Sequence, residues 1–204
     1  MQSRRDISRF LAILSVCVFA IYHFSNNDAD VDLWGNVGFV DSLPWQESFH
    51  YTNTYSYTEP DHEWINHEWL GQYVLNRTFH YTGNPGLLTL KLLLGFGVLG
   101  LMISAMRRDK ACNAAGFLFL LLIISTMGYG YSTRPHHFTY LLYALMLWLI
   151  FKSHVRSALI PLLTLPIAIL WANLHGAFFI GAILLATVSA SESIRLLIPA
   201  RATL

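Results

Sequence analysis

Six apolar runs, Ile7–Phe24, Gly86–Met106, Cys112–Tyr131, Phe138–Phe151, Ala158–Leu174 and Gly176–Ile194, leave this chain few ways to fold. A bilayer crossing takes about 20 apolar residues, and most of these runs approach that length, while the fourth must borrow from its flanks. In hydrocarbon every backbone amide must bond within its own segment, so runs of this kind become helices. The chain is 54% hydrophobic and only 12% charged, and its mean hydropathy of +0.45 is above that of ordinary soluble domains. The expected fold is therefore all-α, a polytopic transmembrane helix bundle of six spans. For the first run a second reading stands beside the span: Arg4 and Arg5 precede it and Val18-Phe19-Ala20 has the form of a cleavage site, as in a signal peptide. Cys17 and Cys112 both fall inside apolar runs and offer neither a disulfide frame nor a thiolate metal site.

Charge sets the orientation. If the six runs alternate, Arg4, Arg5, Arg9, Arg107, Arg108, Lys110, Lys152, Arg156, Arg195 and Arg201 all fall on one side, 10 of the 13 Lys and Arg. By the positive-inside rule that side is the cytoplasm, which gives a cytoplasmic N-terminus in a plasma membrane. Nine of the 12 acidic residues (Asp28, Asp30, Asp32, Asp41, Glu47, Glu59, Asp61, Glu63 and Glu68) lie between the first and second runs, with Arg77 as the only strong base there. The chain thus divides into a cytoplasmic N-terminus and first span (1–24), an acidic non-cytoplasmic loop (25–85) and a five-helix membrane region (86–204). A polar loop that long is a functional unit rather than a connection.

The same topology brings other polar residues to the outer face. "YSTRPHHF" places Arg134, His136 and His137 there, and "WANLHGAF" places Asn173 and His175. An arginine outside runs against the charge bias and points to an anionic partner, either a ligand or one of the loop acids. In "NNDADVDLWGNVGFVD", Asp30 and Asp32 are two apart, so in an extended segment both carboxylates face one way. That spacing suits joint coordination of Mg²⁺ or Mn²⁺, or a split between metal ligand and general base. Trp34 follows as an anchor at headgroup level.

Farther along the loop, "SYTEPDHEWINHEWLGQYVL" carries a helix start at Pro60-Asp61. From there His62 and Asn66 share one face, Glu63 and His67 the next, while Ile65, Trp69, Leu70, Tyr73 and Val74 form an apolar side. The pattern predicts an amphipathic helix lying in the membrane interface. As a zinc motif it is poor, because its histidines are five apart where a helical pair needs four to share one face.

Taken together, Asp-x-Asp-Leu-Trp, Trp-Ile-Asn-His-Glu-Trp-Leu, Arg-Pro-His and Trp-Ala-Asn-Leu-His-Gly, in that order from Asp28 to about Gly181, resemble bacterial polytopic glycosyltransferase-like proteins of the C-type fold. These are similar to the protein mannosyltransferases and arabinose transferases that use lipid-phosphate sugars. Where relatives tend to have Trp-His after Leu-Trp, this chain has Gly35-Asn36. The resemblance implies an inverting sugar transfer from a polyprenyl-phosphate donor to an acceptor on the non-cytoplasmic face. It implies Asp32 and Asp30 as the catalytic carboxylates, also able to hold a metal, with Arg134 and His136 on the donor phosphate. His62, Asn66, His67, Glu68, Asn173 and His175 would line the substrate cleft. Such relatives continue through further helices, so the expectation is a chain that either is one half of an enzyme or dimerises to complete the lipid groove. Membrane lipid and donor are the expected partners, and nucleic acid is not.

Two rival classes stay open at this level. A metal-dependent membrane hydrolase would use His62, Glu63 and His67, against the spacing argument. A transporter or assembly subunit would need polar groups within the spans, which offer few beyond Lys91 and Glu192.

Overall fold

The computed structural model describes residues 2–26, 30–41, 57–59, 62–63, 65–152 and 159–197, with side chains from 6 to 194. These residues form seven helices: α1 (Gln2–Phe24), α2 (Val31–Asp41), α3 (Trp69–Arg108), α4 (Ala114–Tyr129), α5 (His136–Phe151), α6 (Ile160–Leu174) and α7 (Phe178–Leu197). No strand occurs among the described residues.

By length and composition two helices can cross a membrane, α1 over Asp6–Phe24 (mean hydropathy 1.9) and α3 (2.1); α4, α5, α6 and α7 over Phe178–Ile194 are apolar but shorter. The outward faces are apolar too: Phe10 and Val18 on α1, Phe119 and Leu122 on α4, Leu162 and Leu165 on α6, and Phe179 and Ile183 on α7 are all exposed.

The central element is α3, which packs against α1, α2, α5 and α6. Its 40 residues are two helices joined end to end, because Gly83 takes φ 64°, ψ −158° just ahead of Pro85. Only glycine holds that conformation without strain, and proline removes the amide that would continue the ladder. The first half carries the interfacial pattern and the second carries the expected second span.

Three apolar clusters hold the helices. Val16, Ala20 and Phe24 of α1 meet Leu99 of α3 and Leu120 and Ile124 of α4. Phe138, Leu142 and Met146 of α5 meet Trp171 and Leu174 of α6. Leu33 and Val37 of α2 meet Leu75 and Leu87 of α3.

Two local expectations are corrected. The Asp30–Asp41 stretch is not extended: Leu33, Val37 and Val40 are buried together, the spacing of one helical face. The Asp30 carboxylate accepts the Asp32 amide at 3.0 Å, and the Asp30 carbonyl accepts that of Leu33 at 3.0 Å, a turn that launches α2. The interfacial helix, in turn, starts at Trp69 and not at Asp61. Asn66 Oδ1 accepts the Glu68 amide at 3.0 Å, so the asparagine side chain takes an amide that a continuing helix would bond to a backbone carbonyl. Pro60 and Asp61, on which the earlier start rested, lie outside the described residues.

Candidate functional site

Where α2, the first half of α3, the start of α5 and the α6–α7 turn converge, a cleft of about 520 Å³ opens. Its lining includes Asp32, Asn36, Glu68, Arg134, His136 and His175. Five of these six are candidate site residues by sequence; Asn36 is not.

One wall is a charge clamp. The Arg134 guanidinium pairs through Nη2 with Asp30 and reaches Asp32 through Nη1 at 3.1 Å. Ser132 Oγ donates to the second Asp30 oxygen at 2.9 Å. The Asp30 side chain is 14% exposed and that of Asp32 is 59% exposed. The two carboxylates, equivalent by sequence spacing, therefore differ: one is half-buried against arginine, the other is open to the cleft. Hydrogen bonding from Arg134, with further help from the Asp32 amide and Ser132, holds the Asp30 carboxyl down to about 2 in spite of some desolvation. The Asp30 carboxylate in return raises the Arg134 pKa.

The facing wall is a carboxylate–imidazole chain. His175 Nε2 stands 3.4 Å from Glu68 Oε1, and the Gly176 amide donates to the same oxygen at 3.3 Å. The Ala177 amide donates to His175 Nδ1 at 3.2 Å. That bond assigns the lone pair to Nδ1 and the proton to Nε2, facing Glu68. Thr139 Oγ1 lies 2.9 Å from Nδ1 and accepts from Trp171 Nε1 at 2.8 Å, so the threonine hydroxyl donates its own hydrogen bond to the imidazole. Burial lowers the His175 pKa, opposed by the Glu68 charge and aided by His67.

The walls are joined underneath by side-chain amides. Asn66 Nδ2 donates to Gln72 at 2.6 Å, and Gln72 Nε2 donates to Asn36 at 3.1 Å. This relay links α2, α3 and the turn before α3, and so sets the spacing between Asp32 and Glu68. Gly71, one turn into α3, allows the helix to approach α6: a Cβ there would sit 2.4 Å from the Leu174 carbonyl oxygen.

The remaining expected residues are placed otherwise. Asn173 is spent on structure, accepting Trp69 Nε1 at 2.7 Å and donating to the Ile169 carbonyl at 2.8 Å. His67 lies at the rim, 61% exposed and 3.7 Å from Glu68. His62 is exposed and stands apart from the lining. Among the described residues no group of three or more His, Cys, Asp or Glu is arranged to hold a metal ion. Mg²⁺ or Mn²⁺ on Asp30 and Asp32 does not fit this arrangement, since Arg134, Ser132 and a backbone amide already take the Asp30 oxygens. Sequence reasoning missed Asn36, Gln72, Ser132 and Thr139, which carry no charge and no motif; their role comes from partners between 32 and 102 positions away.

Compared with known protein families, curated proteins and solved structures, the chain matches none.

Proposed function

We propose that this chain is a membrane-embedded glycosyltransferase that moves a sugar from a polyprenyl-phosphate donor to a hydroxyl acceptor on the non-cytoplasmic face. In this reading α1, the second half of α3 and α4–α7 are the six spans, with both termini of the bundle cytoplasmic, in a bacterial plasma membrane. The observation that carries it is the cleft itself: Asp32, Glu68, Arg134, His136 and His175 come from distant parts of an apolar helical chain and share one 520 Å³ space. A polar cleft at the end of an apolar bundle gives an amphiphilic donor both of the environments it needs.

The chemistry follows from the asymmetry of the clamp. Asp30, half-buried and strongly acidic, anchors Arg134; Asp32 is the yielding partner on the exposed side. A donor phosphate entering the cleft takes over Arg134 Nη1 from Asp32 in a charge-assisted hydrogen bond, while Nη2 stays on Asp30. Asp32 is thereby released as a base. The acceptor hydroxyl oxygen attacks the anomeric carbon and its proton passes to the Asp32 carboxylate, while the bond from that carbon to the phosphate oxygen breaks. Its electron pair leaves with polyprenyl phosphate, whose added charge Arg134 meets, with His136 beside it in the cleft lining. A single displacement inverts the anomeric centre. Glu68, held by His175 and the Gly176 amide, orients acceptor hydroxyls, and no step needs a metal ion.

The test is direct. The purified chain in nanodiscs is titrated with a polyprenyl-phosphate sugar and with the same polyprenol lacking phosphate. The expected result is binding of the first, lost in Arg134→Gln; equal binding of both lipids would contradict the reading.

A further inference from the structure

At the opposite end of the bundle, between α1, the end of α3 and the start of α4, a second cavity of about 530 Å³ is lined by Arg9, Arg107 and Lys110, with Asp6 the acid among its lining residues and Phe10 and Phe117 among its apolar ones. Three cations against one carboxylate leave it positively charged beside an apolar wall.

The turn that builds this cavity is unusual in one residue. After α3 the Lys110 amide donates to the Arg107 carbonyl at 3.3 Å and the Ala111 amide to that of Met106 at 2.8 Å. This is the helix ending that places one residue in the left-handed region, normally glycine. Here that residue is Lys110, at φ 56°. A residue whose Cβ is strained in the left-handed region sits where glycine would be free of strain, and its side chain lines the cavity. α4 then starts tightly, with Asn113 Oδ1 accepting the Gly116 amide at 3.0 Å, so the turn is rigid and not a loose loop that happens to carry a lysine.

We infer that this cavity binds the headgroup of an anionic phospholipid, its phosphodiester among Arg9, Arg107 and Lys110 and its acyl chains running along Phe10 and Phe117. A basic pocket between helices beside an apolar wall recognises this class by charge and by amphiphilic shape together. The inference rests on the membrane placement of the bundle and not on sugar transfer.

The full chain, purified in neutral detergent, is offered phosphatidylglycerol or phosphatidylcholine and retained lipid is counted by native mass spectrometry, with glycerophosphate and inorganic phosphate as soluble competitors. The expected result is preferential retention of phosphatidylglycerol, reduced about fivefold in each of Arg9→Gln and Lys110→Gly and unchanged in Arg77→Gln on the far half of α3. Lys110→Gly also separates binding from folding. With no lipid present its melting temperature should rise by about 2–4 °C as the left-handed strain is relieved, while its lipid retention falls. Equal retention of the two lipids, unaltered retention in Lys110→Gly, or full displacement by soluble phosphate would each overturn the proposal. An alkaline wash that strips the chain from membranes would instead overturn the membrane placement, a separate failure.

Discussion

The two ends of α3 handle charge in opposite ways. At the Trp69 end polar groups are fixed by partners far away in sequence, Asp30 by Arg134, Gly176 by Glu68 and Asn36 by Gln72 among them. At the Arg108 end Arg9, Arg107 and Lys110 are exposed and stand round a cavity, and the ion pair between helices, Lys152 with Asp109, is on the surface. Fixed geometry suits chemistry, because a reacting group must be held in place before its substrate arrives. Loose cations of one sign suit a soft, charged ligand that supplies its own shape.

Glycine substitutions probe the contrast most strongly. Gly71→Ala puts a Cβ 2.4 Å from a backbone oxygen of α6, whereas at Gly100, on the same helix, a Cβ meets nothing within 4 Å. Gly71→Ala should destabilise by about 2–3 kcal/mol and disorder the cleft; Gly100→Ala should stabilise by about 0.5 kcal/mol. Melting of the two variants in the same detergent checks this, and equal melting temperatures would break the comparison.

Removing the clamp cation comes next. Arg134→Gln leaves the 14% exposed Asp30 side chain without its partner and should cost about 1–3 kcal/mol, discounted for the partial exposure of the arginine. The pH dependence sharpens the same point. Asp30 has its carboxyl depressed to about 2, so its contribution is complete above about pH 4, the unfolded value, and is lost as the pH falls through about 2. The melting difference between the parent and Asp30→Asn should hold constant from pH 7 to 5 and shrink below 4. A difference that instead grew on acidification would show that Arg134 does not hold Asp30. The smallest effect belongs to the other end: Lys152→Gln breaks a pair whose aspartate is 52% exposed and should change stability by about 0.5 kcal/mol or less, vanishing in high salt.

Much of this was legible in the sequence, and what was not has physical causes. The apolar runs recur as α1, the second half of α3 and α4–α7, because hydropathy over a long window is a strong signal. Alternating those runs already put Arg134 and His175 on one face with the acidic loop. α2 was hidden because Gly35 and Gly38 weaken a helical pattern whose buried residues, Leu33, Val37 and Val40, are few. The pairing of Arg134 with Asp30 and Asp32 depends on side-chain reach across helices, which no spacing encodes. Asn173 looked like a cleft residue by position, yet the Trp69 indole claims its carbonyl.

The central claim is that the two clamp aspartates have separate duties, Asp30 holding Arg134 and Asp32 accepting the proton. Sugar transfer from a polyprenyl-phosphate donor by the purified chain, measured beside thermal melting for Asp32→Asn and Asp30→Asn, tests it. Asp32→Asn should melt like the parent and lose transfer by about 10²-fold or more, while Asp30→Asn should melt lower at neutral pH. Parental transfer by a folded Asp32→Asn variant would contradict the account.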